Sequence, residues 1–144
     1  MKKVQFYVPG KPQGKARART FRSNGVTRTV TPDNTVLYEN FIKERYLQSA
    51  EGMFFDRGTP VSLHIVIRFL PVKSETKSKR AKMLNGDILP LKKPDIDNVV
   101  KVICDALNCV AYHDDTQVVM VNVKKVYSAI EGVDVTVEEY ACGR

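Results

Sequence analysis

Hydrophobic residues recur along this chain in two rhythms, and the rhythm changes wherever glycine, proline or a run of charge intervenes. Val4-Gln5-Phe6-Tyr7-Val8 predicts a first strand, stopped by Pro9-Gly10. Tyr38, Phe41, Ile42, Arg45 and Tyr46 return near helical spacing, so an amphipathic helix is expected to about Ala50, with Thr31 as cap and Pro32 at its first position. From Val61 to Phe69 the period is two: Leu63, Ile65, Ile67 and Phe69 share one face, His64 and Arg68 the other. His64 therefore reads as a packed or surface strand residue rather than a ligand. A short helix over about Ser74 to Leu84 is closed by Asn85-Gly86. Ile96, Val99, Val100, Ile103 and Leu107 line one face of a further helix opened by Pro94-Asp95. Val118 to Tyr127 is a β-branched strand, and Val133, Val135 and Val137 alternate with Asp134, Thr136 and Glu138 as its partly exposed partner. A chain of 144 residues holds one core. The expected fold is thus α+β, a single domain over residues 1–144 with a mixed sheet flanked by two main helices.

Charge changes the picture. Lys and Arg number 23 against 16 Asp and Glu, a net charge of +7, which favours a polyanionic partner through counterion release. Nucleic acid is the first expectation and an anionic membrane surface the second. No apolar run approaches the roughly 20 residues of a spanning helix, and Met1-Lys2-Lys3 leads into a strand and not into a signal segment. A soluble, cytoplasmic protein is expected. Lys11, Lys15, Arg17, Arg19, Arg22 and Arg28 fall in a loop without one acidic residue, and Lys73, Lys77, Lys79, Arg80, Lys82, Lys92 and Lys93 dominate a second. Lys15, Arg17, Arg19, Lys79, Arg80 and Lys93 are the candidate phosphate contacts. Cys104, Cys109 and Cys142 form no CxxC pair or zinc spacing and read as reduced, mostly buried thiols.

Against this basic background, acid is concentrated in two short runs, Asp95-Ile96-Asp97 and Asp114-Asp115. Clustered carboxylates repel a phosphate backbone unless a hard divalent cation lies between them. Each run also has a plainer reading: Asp95 and Asp97 as helix-start acids, Asp97 with Lys101 as an i,i+4 ion pair, Asp114-Asp115 as a turn. Residues two apart on a helix diverge, so Asp95 and Asp97 converge only if Asp95 precedes the helix in extended geometry. If the chain then returns Asp115 beside that helix start, three carboxylates are available for Mg²⁺.

Lys93-Pro94-Asp95-Ile96-Asp97-Asn98-Val99-Val100-Lys101, Asp105-Ala106-Leu107-Asn108, Asp114-Asp115-Thr116-Gln117-Val118 and Lys125-Val126-Tyr127 together resemble the core of RusA-type Holliday-junction resolvases, small endodeoxyribonucleases often carried by prophages. Val8-Pro9-Gly10-Lys11-Pro12 and Arg17-Ala18-Arg19 resemble that family's N-terminus. The resemblance implies a homodimer that resolves four-way DNA junctions in recombination and repair by paired, Mg²⁺- or Mn²⁺-dependent cuts. It matches Asp95, Asp97 and Asp115 to the metal-binding catalytic carboxylates and Lys101 to an essential lysine; Asp114, ranked below Asp115, is the candidate auxiliary ligand. Two positions depart from the pattern: Cys109 stands where many relatives have glycine, and Leu91, Lys92 and Lys93 stand where some members carry junction-opening aromatics. Competing readings are a branched-DNA nuclease of broader specificity and a non-catalytic DNA-binding protein whose aspartates only cap helices.

Overall fold

In a computed structural model that describes residues 1–30 and 32–141, four strands form a mixed sheet and a separate pair forms a hairpin. The elements are β1 (Lys3–Pro9), β2 (Arg19–Ser23), β3 (Val26–Val30), α1 (Asp33–Ala50), β4 (Val61–Phe69), α2 (Lys77–Leu84), α3 (Ile96–Leu107), β5 (Val118–Tyr127) and β6 (Gly132–Glu139), with a 3₁₀ turn at Asp115–Gln117. The sheet order is β1-β6-β4-β5. β4 and β5 run parallel, joined through α2 and α3, while β6 is antiparallel to both β1 and β4. The fold is α+β, as expected, with α2 a third and shorter helix beside the two main ones.

One face of the sheet is apolar by strict alternation. Val4, Phe6 and Val8 of β1, Leu63, Ile65 and Ile67 of β4, and Val133, Val135 and Val137 of β6 are all buried there. Against them α1 lays Tyr38, Ile42, Tyr46 and Ala50, spaced four apart, and α3 lays Val99, Val102, Ile103, Ala106 and Leu107. The two most deeply buried tyrosines have partners: Tyr46 donates to the Met53 carbonyl at 2.6 Å and Tyr112 to the Cys104 carbonyl at 3.0 Å. Burial pushes the Tyr46 phenol up to about 12. The other sheet face is polar, with His64 2.8 Å from Glu138 and Arg68 2.6 Å from Asp134.

Four expectations are corrected. Strand β6 is not the partner of β5; it lies between β1 and β4, and its valines are fully buried because a central strand is covered where an edge is not. Strand β5 takes the edge, with Val119, Met120 and Val121 exposed. Helix α1 begins at Asp33, with Pro32 as an N-cap that has no side-chain bond, one residue later than Pro32 at N1; Thr31 lies outside the described residues. The first basic loop contains the β2–β3 hairpin, turned by Asn24 and Gly25 at φ 51° and 77°. An Asn-Gly pair with positive φ at both positions is the commonest signal for a tight hairpin turn, and the surrounding charge masked it. Of the cysteines, Cys104 is buried and Cys109 exposed, while Cys142 lies outside the described residues.

Candidate active site

Helix α3 exists because its apolar residues recur on one stripe, and that stripe fixes what the opposite side presents. Asp97 and Lys101, four residues apart, fall on the exposed side, with Cys104 buried on the adjoining edge. Asp95 is the N-cap, extended at φ −72° and ψ 151°, with no side-chain capping bond. This is the pre-helical geometry that convergence with Asp97 requires. The Lys93–Pro94 peptide before it is cis.

The second acidic run divides its labour. Asp114 accepts a hydrogen bond from the Thr116 N–H at 3.2 Å and caps the 3₁₀ turn, and these donors hold its carboxyl below the usual range. Gln117 completes a capping box and also donates to the carbonyls of Phe55, Asp56 and Thr59, which ties the turn to the loop before β4. Asp115 is left out of the cap. Its turn packs against α3, and its charge is felt at Cys104, whose thiol is pushed up chiefly by burial, and at Tyr112. The side-chain carboxylates of Asp95, Asp97 and Asp115 have no hydrogen bond or ion pair among the described residues. Three unengaged carboxylates are the hard oxygen donors that Mg²⁺ prefers. Among the described residues, however, no three His, Cys, Asp or Glu side chains gather closely enough to hold a metal ion. The donor chemistry fits a divalent cation; the ligand shell is not closed.

Lys101 does not pair with Asp97. Its ammonium lies 3.4 Å from Asp105 Oδ1, one turn toward the helix C-terminus. The other Asp105 oxygen is held by Lys15 Nζ at 3.1 Å, and Lys15 also reaches Glu39 of α1 at 3.1 Å. The N-terminal segment is brought there by close packing. Lys15 N–H donates to the Asn98 carbonyl at 2.9 Å, and a Cβ added to Gly14 would sit 2.8 Å from Asn98 Cβ. Only glycine lets that backbone lie on the first turns of α3. Lys15, expected as a phosphate contact, thus spends its charge on two carboxylates. The roles of Glu39 and Asp105 escaped the sequence reading because neither lies in a recognisable spacing with Lys15.

The remaining basic candidates divide similarly. Arg17, Arg19 and Lys93 are exposed and without protein partners among the described residues. Lys79 pairs with Glu75 at 3.4 Å, and Arg80 donates to the Val72 carbonyl at 3.0 Å, so both help to fold the loop before α3. Lys92 folds back over the rings of Phe69 and Tyr127, at 5.4 and 5.7 Å, leaving Leu91 at 95% exposure.

Comparison with known proteins bears on this site as a whole. Residues 9–138 match the family described as Endodeoxyribonuclease RusA. A Bacillus subtilis (strain 168) protein described as uncharacterized protein YqaN is 33% identical over 138 residues, which cover 94% of this chain and 96% of that protein.

Proposed function

The chain belongs to the RusA family of endodeoxyribonucleases, and from that premise we propose that it cuts four-way DNA junctions as a homodimer, in a reaction that depends on Mg²⁺ or Mn²⁺ and serves recombination and repair. The observation that carries the reading is the set of unengaged carboxylates around α3, Asp95 and Asp97 exposed and Asp115 half-buried, with Lys101 one turn in and basic segments on either side in sequence. Asp95, Asp97 and Asp115 would hold the cation, which supplies a Lewis acid for water and for the scissile phosphate. Lys101 donates to a non-bridging phosphate oxygen as charge builds there. Water adds to phosphorus, one P–O ester bond breaks, and the leaving alkoxide takes a proton. Asp114 supports the site by capping the turn that presents Asp115. Arg17, Arg19 and Lys93 are free to contact phosphates. The open β5 edge, with Val119, Met120 and Val121 exposed, offers a second copy a surface.

The reading is tested by incubating the protein with a synthetic mobile four-way junction, with and without chelator. Paired nicks that require Mg²⁺, and that disappear in Asp97→Asn while junction binding persists, are expected. Equal cutting of three-way and flapped DNA favours the broader branched-DNA nuclease. Binding without cleavage under all metal conditions, with cation affinity unchanged in Asp97→Asn, favours a non-catalytic binder.

No helix among the described residues is long and apolar enough to cross a membrane.

A further inference from the structure

The β2–β3 hairpin contributes nothing to the core. Every residue of both strands is exposed, and the pair forms a sheet of its own. Its two faces nevertheless differ. Cross-strand register places Phe21 opposite Arg28, Arg19 opposite Val30 and Ser23 opposite Val26, so these six share one face. Thr20, Arg22, Thr27 and Thr29 form the other, where the Thr20 and Thr29 hydroxyls lie 3.3 Å apart. The threonine face is an ordinary solvated strand surface. The first face is not: Phe21, Val26 and Val30 stand 48%, 52% and 45% exposed beside two guanidinium groups.

We propose that this face is a binding site for an unpaired nucleobase of the DNA substrate, with Phe21 stacking on the base and Arg19 and Arg28 holding its flanking phosphates. Charge selects the partner class. Residues 11–32 carry six Lys or Arg and no acidic residue, and at the foot of the hairpin Asp33 lines a groove with Arg19, Phe21 and Val30. An aromatic ring flanked by arginines is the recurring platform for single-stranded nucleic acid, because every base has a π-face and every linkage a phosphate. A continuous duplex hides those faces inside its stack, so its phosphates would use Arg19 and Arg28 and leave Phe21 idle. Position points the same way. The segment leading into the hairpin lies on the first turns of α3 through Gly14 and Lys15, and three residues, a span of at most about 14 Å, separate Lys15 from Arg19. A strand engaged at Asp95 and Asp97 has the hairpin within reach.

This rests on the endonuclease reading, and the test separates the two. The chain contains no tryptophan, so Phe21→Trp introduces a single indole reporter at the site. In chelator, binding of an oligothymidylate and of a blunt duplex is measured by anisotropy for the wild type, Phe21→Ala and Phe21→Trp. Phe21→Ala should lose about 5- to 150-fold in affinity for the oligothymidylate, the loss of one base–aromatic stack, with duplex affinity and the salt slope unchanged. Phe21→Trp should keep wild-type affinity, and its fluorescence should be quenched by the oligothymidylate and not by the duplex. An equal loss on both DNAs, no loss on either, or an indole unmoved by single strands overturns the proposal while leaving junction cleavage intact. A lowered melting temperature or a changed oligomeric state in Phe21→Ala overturns it as well, since the ring would then serve packing or a contact between copies. Loss of binding to anionic phospholipid vesicles with oligothymidylate affinity preserved would assign the face to membranes instead. Wild-type protein that binds no DNA of any shape removes this proposal and the endonuclease reading together.

Discussion

Lys15 Nζ and Asp105 Oδ2 lie 3.1 Å apart, and this contact fastens the N-terminal segment to the helix that carries Asp97 and Lys101. Glu39 holds the same ammonium from α1, so one lysine joins three parts of the fold. Burial alone would lower the Lys15 pKa, but its two carboxylate partners outweigh burial and raise it above 10.5. A group whose folded pKa is raised gives its stabilisation in full below the unfolded value and loses it as pH rises through the folded value. Lys15→Met should therefore melt below the wild type by a constant margin across neutral pH, a margin that shrinks in strongly alkaline solution above about pH 10.5. Thermal melts over that range check the sign. A margin that widens as pH rises through the alkaline range would assign the effect to another group. Because Asp105 also positions Lys101, single-turnover cleavage should fall in Lys15→Met and recover in part in Lys15→Arg.

That ion network marks the boundary of what was legible in the sequence. Strands β1 and β4 and helices α1 and α3 followed from period, because each buries one face and the period of burial is the period of the element, while β5 followed from its β-branched residues. The order of strands did not follow, since Val133, Val135 and Val137 suit an edge or a centre equally; only the packing of α1 and α3 over β1, β6 and β4 decides it. The acidic residues were legible as a group because they interrupt a basic chain. Their division was not. Asp114 and Asp115 are adjacent and chemically identical, and the capping box from Asp114 to Gln117 separates their tasks. Lys101 pairs with Asp105 and not Asp97, and Asp105 is shared with Lys15, which arrives from a segment some ninety residues away in sequence.

The division between Asp114 and Asp115 is testable by one isosteric change at each. Asparagine caps helical turns about as well as aspartate, so Asp114→Asn should keep both the 3₁₀ turn and most of the cleavage rate. Asp115→Asn removes a hard anionic donor that no protein group engages, and should abolish metal-dependent cleavage with an unchanged circular dichroism spectrum. Equal loss in both variants would mean that the turn, and not the Asp115 carboxylate, is what catalysis needs.

Cys109 follows the C-terminus of α3 at φ 64°, the left-handed region that glycine occupies without strain. An L-residue there costs about 1–2 kcal/mol, offset in part by the greater freedom glycine has when unfolded. Cys109→Gly should thus stabilise the protein by up to about 1 kcal/mol, a rise in Tm of a few degrees. Cys109→Ala is the control. Both variants lose the 3.4 Å contact from Cys109 Sγ to the His113 carbonyl, so the difference between them isolates the backbone. A Tm for Cys109→Gly at or below that of Cys109→Ala would show that no strain is relieved there.

Lys101 offers the sharpest separation of structure from catalysis. Its one protein partner among the described residues is Asp105, and the lysine side chain is 60% exposed. An exposed i,i+4 ion pair stabilises a helix by only about 0.2–0.5 kcal/mol, and Lys15 still neutralises Asp105 when Lys101 is gone. The Tm of Lys101→Ala should therefore stay within about a degree or two of the wild type. A lysine that meets the scissile phosphate only as charge develops acts on the chemical step. Its loss should cost about 100- to 1,000-fold in single-turnover cleavage, the scale of one preorganised donor, with junction affinity in chelator changed far less. Lys101→Arg should recover little, since a planar guanidinium cannot set a compact charge where the ammonium sat. Near-wild-type cleavage by Lys101→Ala would remove Lys101 from the active site and leave it as half of a surface ion pair.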